Sequence, residues 1–199
     1  MSARVVIIDN GGANTASLRF ALERLGAFPA LTSDANTIRA ATHVILPGVG
    51  AASDSMSRLR TRGLDTLIPQ LTQPVLGICL GMQLLYQASE EGDGGCLGVI
   101  PGTARRMRSV PGRPVPHMGW NQVRHAGNTP LLAEVEDGAH AYFVHSYSLA
   151  VGDETVATTE YGGDFSAVVA HRNFFGTQFH PERSASTGAR ILRNFLELG

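Results

Sequence analysis

The chain of 199 residues has little cysteine, little net charge and no long apolar run. With only Cys79 and Cys96, a disulfide framework is not expected, and free thiols suit a reducing cytoplasm. A formal charge of -1 gives no basic excess to displace counterions from phosphate, so nucleic-acid binding has no electrostatic support. Arg105, Arg106, Arg108 and Arg113 do cluster; a solvated loop or a partner-facing rim is the reading preferred over a nucleic-acid patch. Nothing approaches the roughly 20 apolar residues that span a bilayer, and Met1-Ser2-Ala3-Arg4 runs into an apolar segment without a signal-peptide cleavage pattern. The seven histidines never pair with another His or Cys at zinc-site spacing, so neither a metal nor another cofactor is expected.

What is present is an alternation of short β-branched runs and helical stripes. Val5 to Ile8 reads as a strand buried on both faces, followed by a glycine-rich loop and a stripe of Leu18, Ala21, Leu22 and Leu25 that stops at Gly26. The pattern returns at Val44-Ile45-Leu46 and at Val75 to Ile78, the latter followed by a helical-looking stretch from Met82 to Ala88. Strands alternating with helices predict an α/β fold with a mainly parallel sheet covered on both faces. The second half differs: Tyr142 to Val144, Thr155 to Thr159, Ala167 to Ala170 and Phe174 to Phe179 are closely spaced β-like runs, expected to extend the sheet in mixed or antiparallel fashion. Ser184 to Gly188 supplies capping residues for a last helix with Ile191, Leu192, Phe195 and Leu198 on one stripe. Residues 109 to 116 carry three prolines and read as a loop within one domain of residues 1–199.

Three segments carry chemistry. Gly77-Ile78-Cys79-Leu80-Gly81 places a thiol between glycines where a buried strand meets a helix. So tight a turn strains the nucleophile's backbone, and flanking glycines remove the Cβ clashes that would forbid it. A helix N-terminus there favours the thiolate. The competing reading is a small buried cysteine in a βα turn. His180-Pro181-Glu182 follows another apolar strand; a thiol needs an imidazole to take its proton and return it to a leaving amine, and the imidazole needs an acceptor to orient it. Alone, these residues would be an ordinary surface turn. Pro47-Gly48-Val49-Gly50 closes a third strand, and its backbone N–H groups, with that of Leu80, can hold a developing oxyanion. An ordinary Pro-Gly turn is the alternative. Gly11-Gly12 lacks dinucleotide spacing, and Cys96 reads as a bystander. His43 and His171 read as structural histidines, His117 and His145 less readily so.

At Gly77 to Gln83, with Phe179 to Glu182, the chain resembles the class I, triad-type glutamine amidotransferases. His117-Met118-Gly119-Trp120-Asn121 and Tyr142 to Tyr147 narrow the likeness to glutaminase subunits of imidazole glycerol phosphate synthase, as does Pro-Gly-Val-Gly where many relatives have Pro-Gly-Gly. The resemblance covers essentially the whole chain and implies a flavodoxin-like three-layer sandwich. It implies that Cys79 attacks the side-chain amide of L-glutamine, that His180 passes the proton to departing ammonia, that Glu182 orients His180, and that Val49 and Leu80 form the oxyanion hole. Gly48, Gly50, Gln83, Glu91 (read as ending the elbow helix), Met118, Ser146 and Tyr147 are implied around the glutamine. The implied partner is a (β/α)8-barrel cyclase subunit in a heterodimer, faced by Asn14, Trp120, Tyr142 and Arg183. The first loop departs from the pattern, with Asp9-Asn10-Gly11-Gly12-Ala13-Asn14-Thr15 where Asp-Tyr-Gly-Ala-Gly-Asn-Leu is usual. A glutaminase serving another synthase, such as anthranilate synthase, and a non-catalytic flavodoxin-like module are the competing readings; the former would show a histidine at Met82.

Overall fold

The computed structural model describes residues 3–11, 15–92, 94–126 and 129–199. In chain order the first elements are β1 (Val5–Ile8), α1 (Thr15–Arg24), β2 (Ala30–Thr32), α2 (Ala35–Ala40), β3 (His43–Gly48), α3 (Ala52–Thr61) and α4 (Leu64–Leu67). Next come β4 (Val75–Cys79), α5 (Leu80–Leu84), β5 (Tyr86–Ser89), β6 (Gly94–Gly95), β7 (Ile100–Arg106) and β8 (His117–Val123). The chain continues with β9 (Ala139–His145), β10 (Tyr147–Ser148), β11 (Thr155–Glu160), β12 (Asp164–His171), β13 (Phe174–Thr177) and α6 (Ala185–Leu196).

The main sheet has seven strands in the order β11-β12-β13-β4-β3-β1-β2. From β13 to β2 every pairing is parallel, whereas β11 and β12 add antiparallel. Alternate side chains of β1 enter opposite cores: Val6 and Ile8 join one cluster, Val5 and Ile7 the other. This double burial is why the parallel strands read as unbroken apolar runs. Core clusters on both faces make the molecule a mixed α/β sandwich.

Two expectations need correction. The elbow helix ends at Leu84 instead of continuing to Ala88, because Tyr86–Ser89 is recruited as β5, pairing with β6 and β7 in a separate four-stranded sheet. Glu91 therefore follows a strand and does not end the elbow helix. Tyr142–Val144 does not extend the main sheet: β9 pairs antiparallel with β8 as its own two-stranded sheet. That ribbon is tied to the main-sheet edge where His180 N–H donates to the Tyr142 carbonyl at 3.0 Å.

The last helix forms as its stripe predicts, with Ile191, Leu192 and Phe195 fully buried and Leu198 just beyond its end. Ser184 does not cap it through its side chain. Its hydroxyl instead donates to the His180 carbonyl at 2.7 Å and accepts from Tyr142 N–H at 2.9 Å, pinning β9 to the His180 segment.

Candidate active site

Parallel register aligns the carboxyl ends of adjacent strands: Gly48 of β3 pairs with Cys79 of β4, and Thr177 of β13 pairs with Ile78. Three segments distant in sequence thus end side by side, at the edge where open α/β sheets bind ligands. A cavity of about 310 Å³ opens there, with Cys79 and His180 among its lining residues.

Cys79 sits at φ 54° and ψ -112°, in the left-handed half of backbone space that a side-chain-bearing residue adopts only under constraint. The constraint comes from packing. A Cβ on Gly81 would lie 1.9 Å from the Leu46 carbonyl oxygen, and one on Gly77 would lie 2.7 Å from the Gly81 backbone. Strand and helix approach so closely that the chain can reverse only at Cys79. Gly48 packs the same way, with a Cβ position 2.5 Å from Gly81 N. It is a buried packing residue and is not among the cavity's lining residues, unlike its neighbours Val49 and Gly50.

His180 is 7% exposed, and its Nδ1 lies 2.9 Å from Glu182 Oε1, leaving the other ring nitrogen for Cys79. Burial works against a charged ring. Hydrogen bonds to Cys79 and Glu182, with the negative charge on both, outweigh that penalty and hold the imidazole well above its ordinary range. The geometry sets a carboxylate-backed imidazole beside the thiol, an arrangement able to take up the thiol proton. Glu182 Oε2 is buried without a hydrogen-bond partner.

Glu91, Ser146 and Tyr147 also line the cavity, as does Gln83. Glu91 Oε2 accepts from Ala52 N–H at 3.0 Å, tying its segment to the start of α3, and burial pushes its carboxyl up. Met118 lies outside the cavity lining and is 62% exposed. Trp120, 54% exposed, stands across the ribbon from Tyr142, their rings 6.0 Å apart and nearly perpendicular. Arg183 is exposed. Asn14 lies outside the described residues.

Further residues reach the site. Pro116 lines the cavity, and the Val144 carbonyl lies 3.8 Å from Cys79 Sγ. Gln178, fully buried, directs its side-chain nitrogen at the same sulfur from 3.8 Å. A polar residue in an otherwise apolar strand end just before His180 was the available clue. His145 and His117 are both buried and hydrogen-bonded to each other at 3.0 Å. Burial, aided by the Arg113 charge, pushes His117 down to about 4. Burial also takes His145 down to about 3; its bond to the Tyr147 carbonyl opposes this, and the charges of His117 and His180 add to it. Both rings are neutral at pH 7.

A glutamine amidotransferase class-I family model matches residues 6–198. The chain belongs to the class I glutamine amidotransferases. This amidotransferase is 54% identical over 194 residues to "Imidazole glycerol phosphate synthase subunit HisH" of Xylella fastidiosa (strain Temecula1 / ATCC 700964), covering 98% of this chain and 97% of that one. It is 55% identical to the protein of the same name from Xanthomonas axonopodis pv. citri (strain 306), again over 98% and 97% of the two chains. Among solved structures, a glutamine amidotransferase superposes with a TM-score of 0.75 at 20% identity, covering 97% of each chain, which speaks for the fold. The amidotransferase is therefore an enzyme, and its α/β sandwich is the fold of its family.

Proposed function

We propose that this amidotransferase is the glutaminase subunit of an imidazole glycerol phosphate synthase, acting as one domain over residues 1–199. The observation that carries the reading is a strained thiol at a strand end sharing a cavity with a carboxylate-backed imidazole. Cys79 attacks the glutamine side-chain carbonyl; backbone N–H groups at Val49 and Leu80 stabilise the oxyanion; His180 gives its proton to the leaving ammonia. Water, deprotonated by His180, then opens the thioester to glutamate. Glu182 fixes the ring's tautomer and supports its positive charge. Gly50, Gln83, Glu91, Ser146 and Tyr147 surround the substrate, with Met118 and Gly48 in supporting positions outside the cavity lining.

The Xylella and Xanthomonas relatives are named as subunits of that synthase, and exposed apolar residues suit a docking surface. Trp120, Met118 and Val49 are all large and solvent-exposed, with Tyr142 beside Trp120 and Arg183 at the His180 turn. Aromatic anchors of this kind carry much of an interface's binding energy. The partner is a (β/α)8-barrel cyclase subunit that takes up the ammonia in a heterodimer, and the two free cysteines suit the cytoplasm.

The test joins labelling and reconstitution. A glutamine-analogue electrophile should modify Cys79, and glutaminase turnover should be weak alone and rise strongly with the cyclase and its ribonucleotide. Cys79→Ala should abolish glutamine-dependent synthesis while ammonium-driven synthesis by the complex persists. Loss of both activities, or activation by an anthranilate synthase subunit in place of the cyclase, overturns the assignment.

A further inference from the structure

We propose that Gln178 is a further catalytic residue, whose side-chain amide donates to Cys79 Sγ and stabilises the thiolate in an orientation dictated by Gln83 and the Tyr147 carbonyl. The inference rests on the reading of Cys79 as nucleophile.

A primary amide beside a sulfur can present either its oxygen, which favours the thiol, or its N–H, which favours the thiolate. Here the neighbours decide. Tyr147 O is a backbone carbonyl and can only accept, so the Gln83 atom 3.0 Å away must be the nitrogen that donates to it. That same Gln83 Nε2 lies 2.9 Å from the Gln178 side chain, so the Gln178 atom facing it must be the acceptor, Oε1. The other end of the Gln178 amide, its Nε2, is then turned to Cys79 Sγ at 3.8 Å. The direction of each bond follows from one carbonyl that cannot donate.

The chain of donors continues outward. Tyr147 O also accepts from His145 Nδ1 at 2.8 Å, which leaves His145 Nε2 as the acceptor for His117 Nδ1–H. Gln178 is fully buried and Gln83 3% exposed, so water does not compete for these amides. A donor withheld from water is worth more to a neighbouring anion than an exposed one. The Gln178 backbone is also fixed, its N–H donating to the Ala167 carbonyl of β12 at 2.8 Å. When the Cys79 proton passes to His180, the negative charge left on sulfur gains an N–H already aimed at it. That is stabilisation built before the substrate arrives.

The experiment follows iodoacetamide alkylation of Cys79 against pH in the full chain, in a Cys96→Ser background, by intact mass. Iodoacetamide needs no glutamine pocket, so effects on substrate binding drop out. Gln178→Met, close in volume but without a donor, should move the midpoint of the rate profile upward by about one pH unit, which below the midpoint is about a tenfold slower reaction. The limiting rate at high pH should be unchanged. Gln83→Met, which frees the Gln178 amide to turn over, should shift the midpoint the same way by less, and it serves as the test if Gln178→Met does not fold. Profiles that superimpose on the parent's, in a variant with an intact fold by circular dichroism, overturn the inference and leave the nucleophile assignment standing. A Cys79 that escapes alkylation at every pH overturns both.

Discussion

On the β4 side of the cavity, Cys79 is positioned by contacts that leave no room for a side chain; on the β9 and β13 side, position is set by hydrogen bonds among buried polar groups. The Leu46 carbonyl presses on the Gly81 backbone, and Gly77 packs beneath the same turn. Opposite them, Glu182 orients His180, Ser184 pins the His180 segment to β9, and Gln83, Tyr147, His145 and His117 are linked donor to acceptor. A steric arrangement is indifferent to pH and intolerant of volume. A hydrogen-bonded one tolerates little loss of polarity and responds to protons. One site thus has two modes of failure, and they can be separated.

The largest effect should come from the polar side. Glu182→Gln keeps the shape but removes the charge and can turn an amide N–H toward His180 in place of a carboxylate oxygen, so glutamine hydrolysis in the reconstituted complex should fall by on the order of 10³–10⁴-fold with little loss of stability. A fall of less than tenfold would mean that Glu182 does not orient the base. Gly81→Ala attacks the steric side. Its Cβ has no space beside Leu46, so the elbow must open, costing about 2–3 kcal/mol of stability and at least about a hundredfold in rate. Unchanged melting and turnover would show that the close approach is not what strains Cys79.

A smaller effect separates the two sides by pH. Folded His117 and His145 titrate near about 4 and about 3, against an ordinary 6.5. Between pH 6.5 and pH 4 the unfolded chain takes up protons that the folded chain refuses, so stability should decline as pH falls through that window. His117→Phe, whose ring can still stack on Phe143 and Tyr161, should flatten the decline by up to about 1.4 kcal/mol per pH unit, read from urea unfolding at a series of pH values. An unaltered slope would exclude His117 as a source of acid sensitivity. The smallest effect is a contrast within the glycines. At Gly95 the nearest atom to an added Cβ is 3.9 Å away, so Gly95→Ala should leave melting temperature and activity within error. A marked loss there would undo the steric ranking.

Much of the site was legible because its chemistry demands particular residue types at particular breaks in the apolar pattern. A thiol between two glycines, and His-Pro-Glu after a strand, could be read off as candidate nucleophile and base. The apolar stripe of Leu84, Leu85 and Tyr86 predicts a helix continuing to Ala88; what ends it at Leu84 is strand pairing of Tyr86–Ser89 with β6 and β7. Gln178 interrupts the apolar strand end, but its role depends on Gln83 and Cys79, which lie far from it in sequence. A buried glutamine has no meaning in sequence until its neighbours are known.

The sequence by itself determined the alternation of strands and helices, the doubly buried parallel core and the candidate reacting groups, because burial periodicity and side-chain chemistry are local properties. Only the tertiary structure decided that the ends of β3, β4 and β13 meet, that the β8–β9 ribbon stands apart from the main sheet, and which end of each buried amide faces the sulfur. Those outcomes depend on strand register and on hydrogen-bond partners tens of residues away, and a donor's direction is settled only when every acceptor around it is in place.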